Sequence, residues 1–197
     1  AVALLQAGSH ATAALITLQE GLEGYHHNDA TVRNDQPGNV DNSGRILPGS
    51  ANANTKLRAI LSFPLTGIPA GSIINSALLR VGREPDTGTS VAGVYTVELH
   101  SISEAFTEST ATWTNTFGGS MTLGATVLSS TTMDPEGALS VHTFPSSGDL
   151  VAALQAALDA NQPFNFALVA QAAVEDGSAR VIFRMGSNTS NPMTGPI

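Results

Sequence analysis

Three groups of residues in this chain carry side chains able to do chemistry. His26-His27 stand beside Asn28-Asp29, an imidazole and carboxylate set that could hold a metal ion. Asp29, Asp35 and Asp41, with Gln36, Asn39 and Asn42 among them, supply hard oxygen donors in a loop, the donor type calcium takes. The D-x-[DN]-x-[DN]-G order of an EF-hand does not fit there. Glu104 and Glu108 flank Phe106 as a candidate acid/base pair. Each group also has a plainer reading. Neighbouring residues of an extended chain point to opposite sides, so a His pair seldom converges on one ion. The His pair is therefore expected in a solvated turn after Tyr25. Asp and Asn build turns on their own account. Asp29, Asp35 and Asp41 remain as candidate calcium ligands, and no other cofactor is expected.

The usual signatures of catalysis are not found. There is no G-x-S-x-G, no H-E-x-x-H and no P-loop, since Lys56 lacks the preceding glycines. With no cysteine, thiolate catalysis, disulfides and cysteine-ligated metals are excluded. The chain reads as non-catalytic.

Charge narrows the partners. Eight Lys and Arg against 16 Asp and Glu give a net charge of −8, which argues against nucleic acid, a ligand that demands a basic face. Charged residues make up only 12% of the 197, roughly half the usual share. Ser and Thr, about a fifth of the chain, supply polarity in their place, and that composition favours strands and turns. No run of 18 or more apolar residues exists, so no helical membrane span is expected.

The elements that must position these groups read as strands. Alternation or short apolar runs mark 14–19, 30–33, 44–47, 56–63, 73–81, 91–102, 123–128, 139–144, 164–170 and 179–183. In 56–63, Leu57, Ala59, Leu61 and Phe63 form one face, Arg58 and Ser62 the other, and Ile60 breaks the pattern. In 91–102, Tyr95, Val97 and Leu99 oppose Thr96, Glu98 and His100. Many short strands at even spacing indicate an all-β sandwich or barrel. Gly148–Asn161 differs. Leu150, Leu154 and Leu158 recur at helical spacing, Ser147 or Asp149 can cap the start, and Asn161 with Pro163 marks the stop. One short amphipathic helix is expected near 149–160, covering an end or edge of the sandwich. Neither a repeat nor a linker divides the chain.

Residues 1–14 stand apart from this domain, which is read as 15–197. The segment is apolar and carries Ala11-Thr12-Ala13 in the pattern of an export-signal cleavage site. It reads either as a signal-peptide remnant or as a donor strand led by Ala1, Val2, Ala3, Leu4 and Leu5.

Taken in order, Arg58, Phe63, Leu65, Ile68-Pro69-Ala70-Gly71, Ile73, Ser76-Ala77 and Leu78 fill a pattern, with Pro64 where an acidic residue is common. Phe106, Thr107-Glu108, Ala111, Thr112-Trp113 and Asn115 fill a second, and Thr17–Tyr25 with Asp29 matches an opening strand. In these segments the chain resembles the DNRLRE-type domain family, which includes alginate-binding carbohydrate-binding modules. The likeness covers roughly residues 15–185. It implies a jelly-roll β-sandwich in exported, cell-surface or extracellular proteins, with Arg58, Phe63, Ile68, Pro69 and Trp113 as fold-signature residues and Glu108 tying a loop. Trp113 is then expected in the core. The end of the chain departs from the pattern, where a regular last strand is expected.

Two functions from different classes follow. One is a structural subunit of an extracellular fibre or matrix that partners copies of itself, residues 1–5 adding to a neighbour's sheet. The other is a polysaccharide-binding module. That class calls for aromatic platforms or a basic cleft, yet aromatics are 5% of the chain and Trp113, Tyr25 and Tyr95 are its only Trp and Tyr residues.

Overall fold

The computed structural model describes residues 14–19, 22–41, 45–46, 48–50, 54–83, 94–133, 140–171, 175 and 183–184. Within them nine strands and one α-helix follow in the order β1 (Asn28–Arg33), β2 (Arg45–Ile46), β3 (Leu57–Phe63), β4 (Leu79–Arg83), β5 (Tyr95–Ile102), β6 (Leu123–Met133), β7 (Ser140–Phe144), α1 (Gly148–Asp159), β8 (Phe164–Ala170) and β9 (Phe183–Arg184). They form an antiparallel five-stranded sheet, β1-β3-β8-β5-β6, and an antiparallel four-stranded sheet, β2-β9-β4-β7. The fold is an all-β sandwich with one helix, as expected from the sequence.

The alternation in the sequence explains the first core. Ala59 and Leu61 of β3, Val97 and Leu99 of β5, Leu128 of β6, and Phe166 and Leu168 of β8 meet Ile46, Val81 and Phe144 of the smaller sheet. Every second residue of a strand faces the same side, so these positions line the space between the sheets. Helix α1 begins where expected. The Ser147 side chain accepts a hydrogen bond from the Leu150 N–H at 2.9 Å, capping one of the unpaired first-turn amides. Its Leu150 is buried, and Ala153, Leu154, Ala157 and Leu158 pack against the same core. Asn161 ends the helix in a left-handed conformation (φ 53°) that Asn tolerates better than most residues.

The larger sheet is buried on its second face as well. Ala30 and Val32 of β1, Ile60 of β3, and Ala167 and Val169 of β8 pack under residues 103–122, chiefly Ala111 and Met121, with Trp113 and Phe117 alongside. Ile60, the break in the sequence pattern, is one of the anchors of this second core. A strand covered on both sides has no reason to alternate strictly.

Several strand boundaries differ from expectation. Residues 14–19 and 72–78 join neither sheet, so the run expected at 73–81 is a strand only from Leu79. The ladder at 123–128 continues to Met133, with register irregularities opposite His100. Of the strand expected at 179–183 only Phe183 is described, paired within Phe183–Arg184. No helix among the described residues is long and apolar enough to cross a membrane.

Candidate functional site

The strongest polar arrangement lies on the outer face of the larger sheet. Arg58, on β3, faces away from the inter-sheet core. Its Nε donates to Glu175 Oε1 at 2.6 Å and its Nη2 donates to Glu175 Oε2 at 3.1 Å. The guanidinium lies 4.5 Å from the Phe117 ring centre and 5.5 Å from that of Trp113. The chain's one lysine, Lys56, approaches the same carboxylate at 3.6 Å. Glu175 is buried at 6% exposure, so its charge is matched by two cations rather than by water. Every strong group of this cluster is engaged with another. The arrangement ties the segment after β8 to β3 and to the 113–117 loop.

Trp113 is half-buried, tilted against Phe117 at 5.6 Å between ring centres. It packs against the second core rather than lying within it. Phe63 and Ile68 pack against the inter-sheet core, while Pro69 is exposed in the turn that follows.

The histidine pair divides as extended geometry requires, but not as a solvated turn. His26 is exposed, whereas His27 is tucked in, stacked on Phe63 at 4.7 Å between ring centres and 7° between planes. Its Nε2 lies 3.3 Å from Asp29 Oδ2. The Tyr25 hydroxyl donates to the Pro64 carbonyl at 3.0 Å, fixing the entry to β1. The expectation of a solvated pair therefore fails for His27, because Phe63 offers an aromatic face that the sequence could not place beside it.

The three calcium candidates are dispersed. Asp29 is buried on β1 beside His27. Asp35 is held by Arg33, whose Nε and Nη2 donate to its two oxygens at 3.0 and 2.8 Å. The Arg33 guanidinium holds the Asp35 carboxyl below the usual carboxylate range. Asp41 meets Thr31 through an isolated antiparallel bridge. Among the described residues no three His, Asp or Glu side chains gather in a way that could hold a metal ion. Of the three, Asp35 has both carboxylate oxygens engaged by Arg33.

Of the candidate acid/base pair, Glu108 opens a short 3-10 turn over Glu108–Thr110, and both glutamates are half-buried. Beside them lies an open depression of about 300 Å³ lined by Phe106, Thr107, Thr110, Ala111, Asn115 and Thr116, among others. The side chains of Thr110, Asn115 and Thr116 are already committed. Asn115 donates to the Thr110 carbonyl at 2.7 Å and accepts from the Thr112 N–H at 2.8 Å, and Thr116 donates to the Thr112 carbonyl at 2.7 Å.

A different character appears where the loop after β3 meets α1. Leu15 is 89% exposed and Ile73 80% exposed, with Leu78 at 59%. Leu18 sits within van der Waals reach of Gly67, which brings residues 14–19 against that loop. The Gln155 side chain holds residues 72–74 by their main chain, a role that a lone Gln in an Ala-Leu helix signals only faintly. The assembly candidates Ala1, Val2, Ala3, Leu4 and Leu5 lie outside the described residues. No protein-family model matches the chain, and no curated protein matches it.

Proposed function

We propose that this protein is a non-catalytic, exported β-sandwich that serves as a structural subunit of an extracellular fibre or matrix, polymerising through strand exchange by its apolar N-terminal residues. The observation that carries this reading is the exposure of Leu15 and Ile73, large apolar side chains at 89% and 80%, with Ile73 next to the main chain that Gln155 of α1 holds. Exposed apolar side chains in strand-like sequence are what an interaction surface offers. The low share of charged residues, 12%, favours close packing of copies.

The strand order supports a jelly roll of the DNRLRE type. With β1 set aside as an added edge, β2-β9-β4-β7 and β3-β8-β5-β6 follow the connectivity of two Greek keys wound into one sandwich. The Trp113 and Arg58 positions, joined in one aromatic and ionic cluster, fit fold-signature roles. Calcium has no part in this reading. Polysaccharide remains the partner of the competing reading, for which the depression beside Phe106 offers a poor site given its committed polar groups.

Electron microscopy of the native protein and of a chain lacking residues 1–7 tests the proposal. Fibres from the full chain and folded monomers from the shortened one are expected. Unchanged assembly after the deletion, or an unfolded product, overturns strand exchange.

A further inference from the structure

Two stretches whose sequence reads as strand, 14–19 and 73–78, belong to neither sheet. The second is the better defined. Gln155, on α1, accepts the Ile74 N–H at 2.8 Å through Oε1 and donates to the Ser72 carbonyl at 3.1 Å through Nε2. The other Nε2 hydrogen has its own acceptor, Asp159 Oδ1 at 2.8 Å. The amide is therefore fully engaged and its orientation fixed. Main-chain groups of residues i and i+2 point to the same edge in an extended chain. A side-chain amide that takes both groups does the work of a neighbouring strand. Three residues on, the Ser146 hydroxyl accepts the Ala77 N–H at 3.1 Å.

The opposite edge is closed at Ala77 by Ser146 and open only at Ile73 and Asn75. Ile73 and Asn75 point their main-chain groups away from Gln155, and neither makes a main-chain hydrogen bond among the described residues. Both residues are exposed, and Ile73 and Leu78 turn large apolar side chains to water. No charged residue lies between Ser72 and Leu79. Sheet proteins blunt their free edges with charges, bulges or proline. The long edge strand β6 has its register irregularities. The 72–76 stretch has none of these safeguards.

We propose that Ser72–Ser76 is the acceptor edge for residues 1–7 of a second copy of this chain. This rests on the strand-exchange reading above and names its receiving site. The donor segment, Ala1-Val2-Ala3-Leu4-Leu5-Gln6-Ala7, is likewise without charged side chains and apolar. Six residues, Gly8–Ala13, separate it from the first described residue, enough to span about 20 Å when extended. Pairing would satisfy the open amides of Ile73 and Asn75 and cover the Ile73 side chain in one step.

The absence of cysteine makes cross-linking a clean test. Chains carrying Leu4→Cys are mixed with chains carrying Ile73→Cys under oxidised glutathione, and in parallel with chains carrying Val141→Cys on the edge strand β7. A disulfide-linked mixed dimer at least tenfold more abundant with Ile73→Cys than with Val141→Cys is expected. Preference for Val141→Cys overturns the assignment. So does an internal disulfide, on dilution, in a single chain carrying Leu4→Cys with Ile73→Cys. Ile73→Lys, with its strand spectrum intact by circular dichroism, should abolish fibres. Fibres that survive Ile73→Lys but vanish on removal of residues 1–7 sink the acceptor alone, whereas fibres that survive the removal sink strand exchange itself.

Discussion

Arg58 and Glu175, 117 residues apart in the chain, are joined by two parallel hydrogen bonds at 2.6 and 3.1 Å on the outer face of the larger sheet. The fork of a guanidinium matches the two oxygens of a carboxylate, and its central carbon lies over the Phe117 and Trp113 rings at 4.5 and 5.5 Å. One pair thus locks a segment beyond β8 to a strand in the first half of the chain.

Removal of Glu175 leaves the Arg58 guanidinium without its carboxylate, and removal of Arg58 leaves buried Glu175 with Lys56 alone. Glu175→Gln or Arg58→Met is expected to cost about 3–5 kcal/mol, the range for breaking a buried ion pair. Replacing both together, Arg58→Met with Glu175→Leu, should recover most of that loss. Urea denaturation midpoints of the three variants decide it. Equal losses in the double and single variants would mean that the aromatic stacking, not the ion pair, carries the stability.

Trp113→Ala should destabilise the fold at or below the lower end of the roughly 3–5 kcal/mol found for Trp→Ala in fully buried cores, because Trp113 is only half-buried. The proposed structural role also requires that polysaccharide retention on affinity gels be unchanged. A folded Trp113→Ala variant that loses such retention would favour the carbohydrate-binding reading.

Ser147 works on two elements at once. It caps α1 by accepting from Leu150, and its hydroxyl donates to the Leu128 carbonyl of β6. Ser147→Ala removes both bonds and should cost at least the about 0.5–2 kcal/mol typical of a lost N-cap. Ser147→Asp keeps an acceptor for the cap but has no proton for Leu128. It should recover helicity by circular dichroism while thermal stability returns only in part.

The Arg33–Asp35 pair predicts a small acid effect. The carboxyl's titration is lowered in the folded state by the Arg33 hydrogen bonds. Its contribution is therefore present above the unfolded carboxylate range and lost as pH falls through the lower, folded value. Asp35→Asn should flatten this part of the stability profile between neutral and strongly acidic pH. The difference at pH 7 should stay within the ~0.2–1 kcal/mol of solvent-screened ion pairs, read by chemical denaturation across the acidic range.

What the sequence determined by itself is what local periodicity can carry. The helix was legible because Leu150, Leu154 and Leu158 share one face and Ser147 precedes them, and Gly148–Asp159 is the result. The alternation of Tyr95, Val97 and Leu99 announced which face of β5 is buried, and Phe164–Ala170 reads as a strand from end to end. Tertiary structure decided the rest. Ile60 looks like an error of alternation until residues 103–122 cover the sheet's second face. His27 needs Phe63 beside it to be tucked in, and the Arg33–Asp35 pair forms only once the loop has its fold. Residues 14–19 and 73–78 have the pattern of strands and no ladder in this chain. Side-chain alternation states which face of a segment can be buried. Whether a partner lies beside it depends on contacts between residues far apart in sequence, and those exist only once the chain has folded.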